Sequence, residues 1–399
     1  MPIIVYRVAS WVMKLKLFIT GVIVFGLFSK TAEAKNVDAI AWNQFTQRIE
    51  KDLPKNKSGV LSGLSIWITL AMLESGAEKQ SKQELRESLG LGELKLEEIE
   101  KTLKSFTTSK EFELSIANSL WPSYKHKYQQ EYITNIARYF NGELHSLDYE
   151  KDSEAARKQI NNWAKQKTNS KIQEILAPGK VTPETLFILA NAIYFKAKWE
   201  DPFQSQFTKD ADFQATTKST RKVSMMNQTA YHQYFEDSDL QALSMNYRGG
   251  EVYLLAVLPH PGVDISKAGL DHLGPILKGL KEQRVIVSLP RFKIETDLDG
   301  LPTRLQKLGI KRIFDPTQSE LTKIMSPTND TLYVSNIIHR ALIEVNEEGT
   351  EATAVTISEM LAGGMPPREK PIVFLADRPF RFYIIHRNTK SIMFSGQYF

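Results

Sequence analysis

Cysteine is absent from all 399 residues, so disulfides, thiol chemistry and Cys-based metal sites are excluded, and stability must come from a packed core. The chain has no G-x-S-x-G, H-E-x-x-H, P-loop or G-x-G-x-x-G motif, and its seven histidines are scattered without metal-ligand spacing. Nothing positive therefore argues for an enzyme, a metal or a cofactor. There is no basic stripe with interleaved aromatics, which leaves nucleic acid out as a partner. No apolar run reaches the roughly 20 residues of a comfortable membrane span. The interior also lacks a Pro/Gly/Ser linker, a repeat or a low-complexity block, and strand-like and helix-like stretches mix throughout. A single large domain over 35–399 is predicted.

The amino terminus breaks this even texture. Arg7, Lys14 and Lys16 precede the apolar run Leu17–Phe28, which is followed by Ala32-Glu33-Ala34. That order predicts a secretory signal peptide over 1–34, cleaved after Ala34, and a secreted or periplasmic mature chain with no membrane span. Met13 opens a more conventional signal on its own, so Met1 and Met13 are alternative starts. Of 51 Lys+Arg and 46 Asp+Glu, residues 1–34 hold four and one, so the mature chain carries 47 minus 45, or +2. Much of the basic excess belongs to the leader.

Ile40, Phe45 and Ile49 predict an amphipathic helix over Val37–Glu50. Ser81 with Glu84 reads as a capping box, and Gly90 as the close of that helix. Leu114–Leu120 alternates like a strand. Ala155–Leu176 has helical spacing, interrupted around Thr168-Asn169-Ser170. Thr185–Phe195 is apolar almost throughout, as a strand covered on both faces should be, and its exception, Asn191, must find hydrogen-bond partners. Leu332–Val345 and Ile372–Ala376 are two more strands. His339 lies in the first of these and, on the residue alone, reads as a satisfied core histidine.

Between these two strands hangs a long segment of small residues. Positions 350, 352, 354, 356, 358 and 360 are Thr, Ala, Ala, Thr, Ser and Met, whereas Glu351 and Glu359 fall on the alternate set. Strand side chains alternate faces, so the uncharged set suits a tight interior. A surface loop explains the Gly and Pro at 363–367 but not the alternation before them. The segment is written as a strand not yet in place.

His339-Arg340-Ala341 through Glu347-Glu348-Gly349-Thr350-Glu351-Ala352, followed by Ile372 through Phe380, resembles the hinge and carboxy-terminal signature of the serpins. Val223–Met226, Tyr247-Arg248-Gly249, Leu258-Pro259 and Leu289–Phe292 also stand in family order, and the resemblance covers nearly all of 37–399. It implies an α+β fold: helices packed around a large mixed β-sheet, further smaller sheets, and an exposed reactive-centre loop at about 347–371. It also implies a suicide-substrate inhibitor without catalytic groups, which traps a serine protease as a covalent acyl complex when the cut loop enters the main sheet; the predicted leader makes it a secreted one. Whether a cysteine protease is also trapped stays open. The spacing carried over from the family puts the reactive bond at Gly363–Gly364, with preference for elastase-like or subtilisin-like enzymes; Ala362–Gly363 and Leu361–Ala362 are the alternative bonds, which would shift preference towards small or medium apolar recognition. The hinge comprises Glu347, Gly349, Thr350, Glu351, Ala352 and Ala354. The shutter that holds the sheet closed comprises Ser62, Ser65, Asn191 and His339. The implied molecule is a monomer; the alternative is a non-inhibitory serpin acting as a binding or chaperone module. Gly63 replaces the family's usual proline, which predicts a looser turn, and Ser170 and Ala197 each replace a usual glycine.

Overall fold

The computed structural model describes residues 37–51, 53–107, 110–216, 218–298, 300–327, 330–350 and 370–399. The predicted leader and positions 351–369 lie outside them.

Helix α1 spans Val37–Glu50, the predicted boundaries. Helix α2, Gly63–Gly76, is buried almost all round, because its sequence is apolar on every face and it threads the centre of the molecule. Its cap is Ser62, whose Oγ accepts from the Ser65 amide at 3.2 Å. Gly63 does not loosen this turn. A Cβ there would lie 2.0 Å from Thr46 Oγ1, so glycine lets α1 and α2 approach closely.

Helix α3, Lys79–Leu89, begins before the predicted capping box. Ser81 and Glu84 face a neighbouring loop instead. Ser81 Oγ accepts from the Glu320 amide at 3.1 Å, and Glu84 Oε2 accepts from the amides of Lys311 and Arg312. Tertiary partners outbid the local motif. Gly90 does close the helix, with φ of 65°. The helices that follow include α4 (Leu96–Thr107), α5 (Gln130–Phe140) and α6 (Ser153–Lys167). The last of these stops where Asn169 and Ser170 take positive φ, so Ile172 and Ile175 are buried from irregular chain rather than from a continued helix.

The strands in chain order are β1 (Gly59–Leu61), β2 (Phe112–Pro122), β3 (Gly142–Leu144), β4 (Phe187–Lys198), β5 (Lys209–Thr216), β6 (Ser219–Glu236), β7 (Leu240–Asn246), β8 (Val252–Pro259), β9 (Lys281–Pro290), β10 (Phe292–Asp297), β11 (Asn336–Asn346), β12 (Gly349–Thr350), β13 (Ile372–Leu375), β14 (Phe380–His386) and β15 (Ser391–Tyr398). Among the described residues they form two sheets. One runs β10-β11-β12-β4-β2-β3 and is mixed, with β11 parallel to β4. The other has nine strands, so the further sheets expected to be small and separate run together here.

Strand β4 shows how the mixed sheet is covered. Ile188, Ala190 and Ala192 face the cluster built on Ile160, Trp163 and Ala164 of α6. Leu189, Ile193 and Phe195 face the main core with α2. Asn191 shares the second parity, as do Asn118 on β2 and His339 on β11, so all three point towards α2.

Candidate functional site

Asn118, Asn191 and His339 lie level with one another across β2, β4 and β11, as direct register partners. The buried His339 donates from Nδ1 to Asn191 Oδ1 at 2.6 Å and accepts at Nε2 from the Ser62 amide at 3.1 Å. Both ring nitrogens are thereby committed. Asn191 Nδ2 donates to Asn118 Oδ1 at 2.6 Å and to the Ser65 hydroxyl. The four residues expected from the sequence do converge.

Two members were not foreseen. Asn118 accepts from Asn191 and from Thr69 Oγ1, the latter at 2.8 Å, and its own Nδ2 has no partner among the described residues. Thr69 also bonds back to the Ser65 carbonyl at 3.0 Å. Asn118 carried the signal that marked Asn191, an amide in an apolar strand, but only the register shows that the two meet.

Burial pulls the His339 pKa from 6.5 down to about 3, because the apolar surroundings disfavour an imidazolium. The geometry agrees: an added proton at Nε2 would face the Ser62 N–H. The ring is therefore a neutral crosslink between adjacent strands.

At the other end of β4 and β11, Gly349 and Thr350, the first described residues of the expected hinge to enter the sheet, already lie between the two strands. Thr350 pairs with Val345 on one side and Ala197 on the other, and Gly349 with Asn346 and Lys198. Strand β12 thus occupies a slot between β11 and β4, whose direct parallel pairing runs only from Asn336–Ile188 to Leu342–Tyr194. Gly349 has φ of 152°, and a Cβ there would lie 2.1 Å from the Ala197 carbonyl oxygen. Only glycine fits this crossing. Thr350 is fully buried, its hydroxyl 2.6 Å from that of Tyr247.

Trp199 organises the turn between β11 and β12. Its indole donates to the Asn346 carbonyl and its amide to the Glu348 carbonyl, each at 2.9 Å, while its ring stacks on Tyr247 at 4.4 Å. Glu347 is buried and accepts from Thr208 at 2.8 Å, with Arg291 at 3.5 Å. Of the remaining candidates, Glu351, Ala352, Ala354, Gly363 and Gly364 lie outside the described residues. Among the described residues no group of His, Asp and Glu could hold a metal ion, and no helix is long and apolar enough to cross a membrane.

The family model described as serpin (serine protease inhibitor) matches residues 36–399. The chain belongs to the serpin family. Among curated serpins, leukocyte elastase inhibitor A of Rattus norvegicus is 36% identical over 71% of this chain and 76% of its own length. Leukocyte elastase inhibitor of Equus caballus is 32% identical over 85% and 92%. Among solved serpins, the thermophilic tengpin in its native state superposes with TM-score 0.81 at 26% identity, covering 92% of this chain and 95% of that one. Serpin48 of Tenebrio molitor gives 0.80 at 29% identity, covering 92% and 98%. The α+β serpin architecture is that of this chain.

Proposed function

We propose that this serpin is a suicide-substrate inhibitor of a serine protease, trapping the acyl-enzyme by drawing its cut loop into the sheet between β4 and β11. The observation that carries this reading is the docked hinge. Thr350 stands opposite Val345 and Ala197, so continuing antiparallel to both strands, residue 350 + 6 = 356 falls opposite 345 − 6 = 339 and 197 − 6 = 191. The two flanking registers agree, since His339 and Asn191 are already partners. Thr356 would enter at the level of the polar lock, and residue 359 would reach Asn336 and Ile188. Side chains directly opposite share a face, so on insertion Ala352, Ala354, Thr356 and Ser358 would follow Thr350 towards α2 while Glu351 and Glu359 would point away.

Inserting a strand moves β4 and β11 from roughly 5 Å to roughly 10 Å apart, which the 2.6 Å bond from His339 to Asn191 cannot survive. The lock and the direct ladder oppose entry. Antiparallel ladders on both sides of the new strand favour it by on the order of 10 kcal/mol once cleavage frees the loop. Fifteen residues at roughly 3.3 Å each would carry an attached protease about 50 Å, enough to pull its acyl-enzyme out of alignment before water attacks.

The small loop residues around Gly363–Gly364 suit an elastase-like or subtilisin-like enzyme, a reading supported by the elastase inhibitors among the relatives. Incubation of the mature chain with elastase, subtilisin, chymotrypsin and trypsin tests it. An SDS-stable complex, with a new amino terminus at or beside Gly364, is expected from one of the first two; cleavage by all four without any complex rejects the proposal. We further propose export with removal of 1–34, supported by the order of positive, apolar and small residues there. Amino-terminal sequencing of the exported chain should start at Lys35.

A further inference from the structure

We infer that a cavity beside Trp199, bordered also by His232 and the carboxylates of Glu200, Asp201 and Glu282, binds a free polyamine through its ammonium groups. The cavity has a volume of about 350 Å3, and neither lysine nor arginine lines it. The carboxylates of Asp201 and Glu282 have no ion pair or hydrogen bond among the described residues, and that of Glu200 accepts only from the side-chain amide of Asn246, at 2.8 Å. Negative charge is therefore gathered on these walls with no lysine or arginine among them.

Exposed carboxylates alone would be a solvated face. The second observation is His232, which is 7% exposed and whose Nε2 has no hydrogen-bond partner among the described residues. A buried polar atom without a partner costs roughly 1 to 3 kcal/mol, so it is uncommon unless something else satisfies it. Burial lowers the pKa of this ring against the opposing pull of Asp201, which favours the neutral ring, whose unprotonated nitrogen can accept a hydrogen bond from an ammonium N–H.

The remaining walls fit the same ligand class. Tyr231, 60% exposed, offers an aromatic face to which alkylammonium groups are attracted. The carboxylates and His232 do not form a metal-ligand group. Several separated carboxylates match a chain carrying several separated positive charges better than a single ion. Trp199 is also the residue that holds Asn346 and Glu348, so a ligand here rests against the anchor of the hinge. The assignment does not depend on the inhibitory reading.

Calorimetric titration of the intact chain with spermidine at low ionic strength tests it. One saturable site is expected, weakened roughly tenfold by Asp201→Asn or Glu282→Gln, exposed substitutions that leave the core intact. His232→Phe, which keeps the ring's bulk and removes its nitrogens, should weaken it similarly. Nα-acetyl-lysinamide, standing in for a lysine of a protein partner, should bind at least about tenfold more weakly than spermidine. The inference is overturned if spermidine shows no saturable binding by about 10 mM, if both carboxylate variants bind as the parent does, or if the lysine mimic binds equally well.

Discussion

Acidification should loosen this molecule through His339 in particular. Its pKa is 6.5 in the unfolded chain and about 3 in the fold. The folded value is the lower one, so the contribution is fully present above pH 6.5 and is lost as pH falls from there towards 3. Each unit costs about 1.4 kcal/mol, so at pH 5 the loss is about 2 kcal/mol. His232 and His386 are also held below the usual histidine value by burial, so the pH profile of the parent alone is ambiguous. The informative assay is urea unfolding of the parent and His339→Gln side by side from pH 7.5 to pH 5. The variant is less stable at pH 7.5, because Ser62 and Asn191 lose their partner. Its deficit should shrink by about 2 kcal/mol on acidification, since only the parent has this ring to protonate. A deficit that stays constant across the range would refute the assigned role of a neutral, doubly bonded imidazole.

Thr350→Arg places a guanidinium in a fully buried slot between β4 and β11, so the hinge should fail to dock and the chain should be cut as a substrate; an SDS-stable protease complex from this variant would contradict the register. Ser170→Gly relieves an L residue held at φ of 62°, and the urea midpoint should rise by the equivalent of about 1 kcal/mol; a lower midpoint would show that the hydroxymethyl group matters more than the backbone. Gly63→Ala should cost about 1 to 3 kcal/mol, because the added Cβ would meet the Thr46 Cβ and backbone Cα at 2.6 and 2.7 Å as well as Oγ1, so Thr46→Ala in the same chain should restore little of it; a single variant as stable as the parent would remove the close-packing argument.

The periodicity of Val37–Glu50 and the apolar run at Thr185–Phe195 placed α1 and β4 from the sequence, because in both a buried face dictates the residue pattern. The capping box did not hold, because Glu320, Lys311 and Arg312 supply stronger partners to Ser81 and Glu84 than the helix end does. The interruption expected around Thr168-Asn169-Ser170 is where α6 ends, at Lys167, but the helical spacing beyond it does not resume a helix, because Asn169 and Ser170 turn the backbone. Ser62, Ser65, Asn191 and His339 could be named through the family resemblance. Asn118 and Thr69 required the pairing of β2 with β4, information that depends on how distant segments align. The small-residue alternation from Thr350 onward suggested a strand in waiting, and all of it but Thr350 lies outside the described residues. That Gly349 and Thr350 already occupy the slot was visible only in the fold.

The central claim is that cleavage lets a strand enter between β4 and β11. Melting the purified chain before and after nicking at 361–364 tests it most directly. The account predicts a rise in Tm on the order of 20 °C for the nicked form, from the added ladders. A nicked chain that melts at or below the temperature of the intact one would contradict it.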